Sequence, residues 1–148
     1  MSDTALLLID LQRDFLETNG RLPVGGANAD RVITTPLRLL NHALNLGWKL
    51  VFIKNEFAKN DWLGNFLRKN SAIAGSPGAE IDPRIPVPAR AHIFSKAKSD
   101  AFSNPSLEPC GVLPIPQQGG FEWLIHQKAD SPLVTLAPDR GLLYGFLK

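Results

Sequence analysis

The sequence is poor in cysteine, in long apolar runs and in clustered charge, and each shortage excludes a class of protein. A single cysteine, Cys110, excludes an intramolecular disulfide and a zinc site built on several cysteines. No apolar run approaches the roughly 20 residues that cross a bilayer. The apolar run at Ala5–Ile9 has no basic segment before it, so we expect neither a membrane anchor nor a secretory signal. The 16 basic and 14 acidic residues are scattered, which gives no support to nucleic-acid binding.

Length and composition are those of an ordinary globular protein. The chain has 148 residues, of which 44% are apolar and 20% are charged. This apolar content is enough to offset the entropy of an ordered chain, so long disordered stretches are not expected. We predict a single domain over residues 1–148, located in the cytoplasm.

The first half of the sequence predicts a strand, a helix and a second strand. The continuous apolar run before Asp10 is typical of a strand buried on both faces of a parallel sheet. Residues 28–46 follow a helical period, with Asn28 or Asp30 as a possible cap and Gly47 as the stop. The predicted apolar face comprises Val32, Ile33, Leu37, Leu40, Ala43 and Leu44. Pro36 predicts a kink or a late start of this helix.

A second strand at Trp48–Lys54 completes a βαβ unit. Closely spaced prolines and glycines predict a loop over residues 71–90, and a short apolar segment at Ala91–Ser95 predicts a third strand. Asn104 and Ser106 are typical of a helix start, with Pro105 at its first position. This regular pattern ends after Glu108, and the proline-rich remainder predicts at most a short strand at Leu133–Leu136.

Two charged residues follow predicted strands and are candidates for chemistry. Asp10 closes the first strand and Lys96 closes the third, so both are expected at the carboxyl edge of the sheet, where ligands bind. Partial burial would raise the pKa of Asp10 and suit it to general acid or base work. A nearby ammonium group would poise a nucleophile or stabilise a substrate oxygen. The alternatives are an Asp10 that caps a turn or pairs with Arg13, and a solvated Lys96.

Three ordered motifs resemble those of the isochorismatase-like cysteine hydrolases. The first is Asp-Leu-Gln-Arg-Asp-Phe at residues 10–15 with the following Leu-Pro-Val-Gly-Gly; the second is Gly-Ser-Pro-Gly-Ala-Glu-Ile-Asp-Pro at residues 75–83. The third is Lys-Ala-Lys-Ser-Asp-Ala-Phe at residues 96–102, with Asp100 in place of the usual serine. The resemblance covers roughly residues 4–108. It implies a three-layer α/β/α sandwich around a parallel sheet, which here is incomplete at the C-terminus.

The resemblance also implies roles for residues. Asp10 corresponds to the catalytic acid/base and Lys96 to the catalytic lysine, while the nucleophile of the family is a cysteine in a Cys-Val-x-x-Thr-Ala segment. Residues 109–148 contain no such segment. Cys110 lies between Pro109 and Gly111 with no strand before it, so a turn cysteine is the better interpretation and the nucleophile the alternative. The divergent segment 109–148 fits a truncation, a frame change or a local replacement.

Other site residues follow only from this resemblance. We expect Phe15, Trp62 and Phe102 to contact substrate, although a tryptophan in this chain fits the core or the pocket rim equally well. The metal-binding histidines of some nicotinamidases have no counterpart after the second strand, so we predict no metal and no cofactor.

Two functional hypotheses stay open, and a third possibility is that the chain does not fold stably. The first function is a hydrolase of a small amide or related molecule, either active or left inactive by the lack of the family cysteine. A cysteine-free route, in which Asp10 protonates a vinyl ether and water attacks, lies within the range of the family. The second function is a non-catalytic binding or oligomer-forming protein, since an uncovered first strand would expose an edge that pairs with another chain. We expect a homo-oligomer in either case.

Overall fold

The regular elements follow one another in the order that the sequence predicts. The computed structural model describes residues 5–23, 29–98, 101–110, 133–136 and 144–146. The strands are β1 (Ala5–Ile9), β2 (Lys49–Asn55), β3 (His92–Lys96), β4 (Leu133–Leu136) and β5 (Tyr144–Phe146). The α-helices are α1 (Arg13–Leu16), α2 (Ala29–Asn45) and α3 (Trp62–Leu67), and 3₁₀ helices span Pro77–Ala79, Ala101–Ser103 and Pro105–Cys110. Across these ranges, no helix is long and apolar enough to cross a membrane.

The sheet has a parallel half and an antiparallel half. Within the described ranges its strand order is β3-β2-β1-β4-β5. β2 pairs in parallel with β1 on one side and with β3 on the other, as predicted, and the register places Asn55 opposite Lys96. β4 pairs with β1 and β5 pairs with β4, both antiparallel, so two antiparallel strands extend the parallel sheet that the resemblance implied. β4 forms backbone hydrogen bonds with the side of β1 that β2 leaves free. The unpaired edge that the sequence suggested for β1 is therefore covered.

Apolar side chains of β1 alternate between two cores, because successive strand residues face opposite sides of a sheet. Leu6 and Leu8 pack in one core and Leu7 and Ile9 in the other, which explains why the whole strand is buried. The first core also contains Val32, Ile33, Leu40, Ala43, Leu50 and Phe52, and is covered by α2. The second contains Val51, Ile53 and Leu107, with Phe102 packed against it. The layered α/β fold is therefore confirmed, with 3₁₀ helices covering the second face in the described part.

Helix α2 runs unbroken through Pro36, so the prediction of a late start is wrong. A proline costs the helix one hydrogen bond to the carbonyl four residues earlier, and burial of the apolar face on the sheet offsets this loss. Asp30 lies inside the helix rather than at its cap, and Asn28 lies outside the described residues. Leu44, predicted on the buried face, is 37% exposed. Gly47 follows the helix with φ of +68°, as a stop residue should.

The loop predicted over residues 71–90 is present, and its one regular turn is the 3₁₀ helix Pro77–Ala79. The loop returns to the sheet, where Ile81 forms an isolated bridge with Gln12. The buried Asp14 accepts a hydrogen bond from the backbone N–H of Ala72 at 2.8 Å. These contacts fasten the loop to the segment that follows β1, beside Asp10.

The predicted helix start after β3 is also confirmed, with a 3₁₀ rather than an α-helical turn. Pro105 is its first residue. The Asn104 carboxamide accepts a hydrogen bond from the Ser106 N–H at 2.8 Å and donates one to the Ser95 carbonyl at 2.7 Å. Asn104 therefore caps this helix and ties it to the edge strand at once.

Candidate active site

Asp10 is the first residue beyond β1 and has an unusual backbone. Its φ is +61°, in the left-handed region that residues other than glycine rarely adopt. Its N–H donates to the Ile53 carbonyl at 2.9 Å, which fixes this turn against β2. Such a conformation costs about 1–3 kcal/mol and is concentrated at functional sites. The strain marks Asp10 as a residue held in place by its surroundings.

Three polar side chains meet at the carboxyl edge of the sheet and form what we call the Asp10–Asn55–Lys96 triangle. The Lys96 Nζ lies 3.2 Å from Oδ1 of Asp10 and 3.4 Å from Oδ2. Asn55 donates from Nδ2 to Asp10 Oδ1 at 2.8 Å and accepts from Lys96 Nζ at 2.9 Å. Each strand of the parallel half thus contributes one member, since the carboxyl ends of parallel strands share one edge.

Burial differs between the two charged members. Lys96 is 3% exposed, and a lysine so buried needs partners to offset the loss of hydration. It also donates to the backbone carbonyl of Lys98 at 3.4 Å. The Asp10 side chain keeps 25% of its exposure. The carboxyl group is therefore the member that a small molecule can reach from solvent.

Burial raises the pKa of Asp10 above its usual value, although the Lys96 charge and the hydrogen bonds from Lys96 and Asn55 oppose this. The loss of hydration outweighs the attraction of the cation. A carboxyl group with a raised pKa takes up and releases a proton closer to neutral pH, which general acid–base catalysis requires. The triangle therefore combines a proton carrier with a fixed positive charge.

Gln12 lies behind the triangle and holds the end of β2. Its Oε1 accepts from the backbone N–H of Asn55 at 2.7 Å, and its Nε2 donates to the carbonyls of Asn55 at 2.8 Å and Ala79 at 2.7 Å. Gln12 is fully buried. Our sequence prediction assigned no role to Gln12 or Asn55. The sequence does carry a signal for Asn55, because it is a polar residue at the end of a strand, as Lys96 is.

The predicted substrate contacts lie on three different elements. Phe15 is half-buried in α1, and Trp62 is 78% exposed in α3. Phe102 packs against the core that contains Ile9 and Ile53. The structure thus brings Asp10 and Lys96 together, while the substrate contacts of the three aromatic residues stay predictions.

Cys110 is the last residue of the 3₁₀ helix Pro105–Cys110. A cysteine thiolate is stabilised at the N-terminus of a helix, where unpaired N–H groups carry partial positive charge. The role of Cys110 as a nucleophile stays a prediction.

The described part of the chain lacks the ligand sets that metal ions need. No group of three or more histidine, cysteine, aspartate or glutamate side chains there is placed to hold a metal ion.

The parallel sheet and the triangle at its carboxyl edge define an α/β domain whose site suits proton transfer. A family profile described as the isochorismatase domain matches residues 4–109. The chain therefore belongs to the isochorismatase family. No curated protein sequence matches it significantly.

Solved structures share the fold. The chain is similar to N-carbamoylsarcosine amidase from Thermoplasma acidophilum, with 19% identity and a TM-score of 0.60 over 72% of this chain and 59% of that one. It is similar to pyrazinamidase of Pyrococcus horikoshii in complex with zinc, with 23% identity and a TM-score of 0.60 over 74% and 66%. Nicotinamidase PncA from Bacillus subtilis gives 25% identity and a TM-score of 0.62 over 72% and 63%. The chain thus spans less than two thirds of the length of each.

Proposed function

We propose that this chain is a hydrolase of a small amide or a related molecule, with Asp10 as the acid/base and Lys96 as its electrostatic partner. The observation that carries the proposal is the contact between a partly exposed carboxyl group of raised pKa and a buried ammonium group 3.2 Å away. Similarity to structures described as amidases supports the cleavage of a C–N bond.

Asp10 has one task at each end of the reaction. In amide hydrolysis it takes a proton from the attacking group, and that proton then goes to the nitrogen as the C–N bond breaks. Water supplies the hydroxyl group of the acid that is released, and ammonia or an amine leaves. Lys96 keeps the carboxylate form available and stabilises negative charge that develops on the substrate.

The identity of the attacking group divides this proposal into two routes. On the first route Cys110 transfers its proton to Asp10 and forms a thioester, which water then hydrolyses. On the second route there is no cysteine nucleophile. Asp10 gives its proton to a vinyl ether, water adds to the cation that forms, and the proton that the water loses returns to Asp10 as the hemiketal breaks down to a carbonyl compound and an alcohol. The position of Cys110 at the end of its helix favours the second route.

An assay of ammonia release from nicotinamide, pyrazinamide and N-carbamoylsarcosine tests the proposal, and a vinyl ether substrate such as isochorismate tests the second route. We expect Asp10→Asn and Lys96→Met to lose turnover. Glu17→Gln should keep it, because the Glu17 carboxylate pairs with Arg13 and not with the triangle. Iodoacetamide separates the routes. Cys110 is the single cysteine, and its alkylation would block only the first route. Unchanged turnover in Asp10→Asn would refute both routes.

An oligomer-forming protein without catalysis is the second candidate, and helix α3 favours it. Its four large apolar side chains are exposed, Trp62 by 78% and Phe66 by 74%, with Leu63 at 54% and Leu67 at 74%. Large apolar side chains exposed together on one short helix are typical of contacts with another protein. Light scattering of the wild type and of a Phe66→Ser variant tests this, since a self-associating protein should dissociate in the variant. A monomeric wild type would contradict it.

The cytoplasmic location of the protein stays a prediction.

A further inference from the structure

We propose that Asn55 is a positioning residue of the candidate active site, which fixes the Asp10 carboxyl group and the Lys96 ammonium group relative to each other. We propose further that Gln12 holds Asn55 in the required place. The catalytic consequence of this inference rests on the proposed function, whereas its geometric content does not.

The contacts through Asn55 are shorter than the direct contacts between the charged groups. Its carboxamide lies 2.8 Å from Asp10 Oδ1 and 2.9 Å from Lys96 Nζ, while the charged groups approach each other to 3.2 and 3.4 Å. The geometry of the pair is therefore set by the amide between them. Hydrogen bonds to charged groups are the stronger kind, which makes this bridge directional as well as attractive.

The Asn55 carboxamide meets the demands of both charged groups at once. It offers an N–H donor to the carboxylate and a carbonyl acceptor to the ammonium group. The two contacts also determine which end of the amide faces which partner. An aspartate here would offer no donor to Asp10 and would place a second negative charge beside it, while a leucine would offer neither group.

Gln12 replaces a missing backbone neighbour of Asn55. β1 ends at Ile9, so no strand residue is paired with the end of β2 on that side. The Gln12 side chain donates to the carbonyl of Asn55 and accepts from its N–H, as an adjacent strand would. On its other side, Asn55 lies opposite Lys96 in the register with β3. The neighbouring Glu56 N–H donates to the Lys96 carbonyl at 2.9 Å, so Gln12 holds this end of β2 on one side and β3 holds it on the other.

The third bond of Gln12 reaches the carbonyl of Ala79, in the loop that follows α3. Both amide hydrogens of Gln12 and its oxygen are used, and the side chain has no exposure. A buried amide bonded in this way is rigid, because every rotation leaves polar groups unpaired. The position of the loop is thus transmitted to the site through Gln12 and Asn55.

Carbon-13 NMR titration of the Asp10 carboxyl carbon in the full chain tests the geometric content. The charged group in contact with Asp10 among the described residues is Lys96 from β3, and β2 contributes the neutral Asn55. We expect Asn55→Leu and Asn55→Asp to shift the titration midpoint of Asp10 to higher pH, and the shift to be larger in Asn55→Asp. Each variant removes the hydrogen bond that stabilises the carboxylate, and the second adds a like charge.

Asn65→Leu is the matched control. Asn65 is a buried asparagine whose Nδ2 donates to the carbonyl of Ala58 at 2.8 Å, so its loss costs a comparable hydrogen bond without touching the triangle. We expect the Asp10 midpoint in this variant to equal that of the wild type. Asn55→Asp has nearly the volume of the native residue and keeps the experiment decisive if Asn55→Leu does not fold. An unchanged Asp10 midpoint in the folded Asn55 variants would overturn the proposal.

A kinetic arm separates this inference from the proposed function. For any amide or vinyl ether that the wild type hydrolyses, Asn55→Leu should lower kcat by about 10²-fold, the usual cost of a small misplacement, with little change in KM. Gln12→Leu should lower kcat in the same way while leaving the donor and acceptor of Asn55 intact. Absence of turnover in the wild type would refute the hydrolase and leave the NMR result to decide the inference. An equal loss of kcat in Asn65→Leu would overturn it.

Discussion

Removal of the positive charge at Lys96 tests how much the contact between Lys96 and Asp10 contributes to the free energy of unfolding. In Lys96→Met the Asp10 carboxylate loses the cation that lies 3.2 Å from it and keeps the hydrogen bond from Asn55. Methionine has nearly the length of lysine, so the variant removes the charge without leaving a large cavity. The protein should be less stable at neutral pH, because ionised Asp10 then lacks its counterion.

The expected loss follows from the distance and the burial. Two unit charges 3.2 Å apart attract each other by about 5 kcal/mol at an effective dielectric constant of about 20, and by about 1 kcal/mol in water. The Asp10 side chain is 25% exposed, which places the pair between these limits. We therefore expect Lys96→Met to lower the free energy of unfolding by about 3 kcal/mol, the lower end of the range for broken buried pairs. Asp10→Asn combined with Lys96→Met should recover about 2 kcal/mol of this loss, since no buried charge then remains.

Urea unfolding at several pH values measures this loss and the sign of its pH dependence. Burial raises the pKa of Asp10 in the folded protein. The contribution of such a group to stability is fully present below the ordinary aspartate pKa of about 3.9 and is lost as the pH rises through the folded pKa. The deficit of Lys96→Met should therefore be largest at neutral pH and shrink towards pH 4. Lys98→Met, a change of an exposed lysine two residues away, is the control.

Two outcomes would refute this reasoning. The first is an equal stability of Lys96→Met and Lys98→Met at neutral pH, which would show that the pair is not coupled. The second is a double variant no more stable than Lys96→Met, which would show that the loss comes from packing rather than from an unpaired carboxylate.

Two further predictions concern the carboxylates next to the site. In Gly78→Ala, the new Cβ would lie 2.1 Å from the Asp14 carboxylate; we expect a loss of about 2–4 kcal/mol in urea unfolding. Gly75→Ala, which has no atom within 4 Å and only the strain of a φ of +73°, should cost less, and equal losses would contradict the crowding argument. Arg84 holds the pKa of the buried Asp82 below its usual value, so Arg84→Gln should cost about 1–2 kcal/mol at pH 7. The stabilisation from a lowered pKa is fully present above the unfolded pKa of about 3.9 and is lost as the pH falls through the folded pKa, so the deficit should shrink there to what the hydrogen bond from Arg84 to the Leu16 carbonyl contributes. A deficit that does not shrink would contradict it.

Much of the candidate site was predictable because strand ends in a parallel sheet share an edge. Asp10 follows β1 and Lys96 is the last residue of β3, and this placement, with the resemblance of three motifs, predicts that the two lie together. Asn55 also lies at the end of a strand, but a neutral amide carries no chemistry that a sequence pattern would single out. Gln12 gave no local signal, since its partners are backbone groups 43 and 67 residues away along the chain.

The sequence by itself determined the elements whose signals are local. The apolar run of β1, the period of α2 and the stop at Gly47 all depend on nearby residues, and all three were predicted. The tertiary structure decided what depends on distant contacts: the unbroken course of α2 through Pro36, the antiparallel strand beside β1, and the exposure of Leu44. It also decided the electrostatics of the site, because the pKa of Asp10 depends on how deeply the folded chain buries it and on an ammonium group 86 residues away.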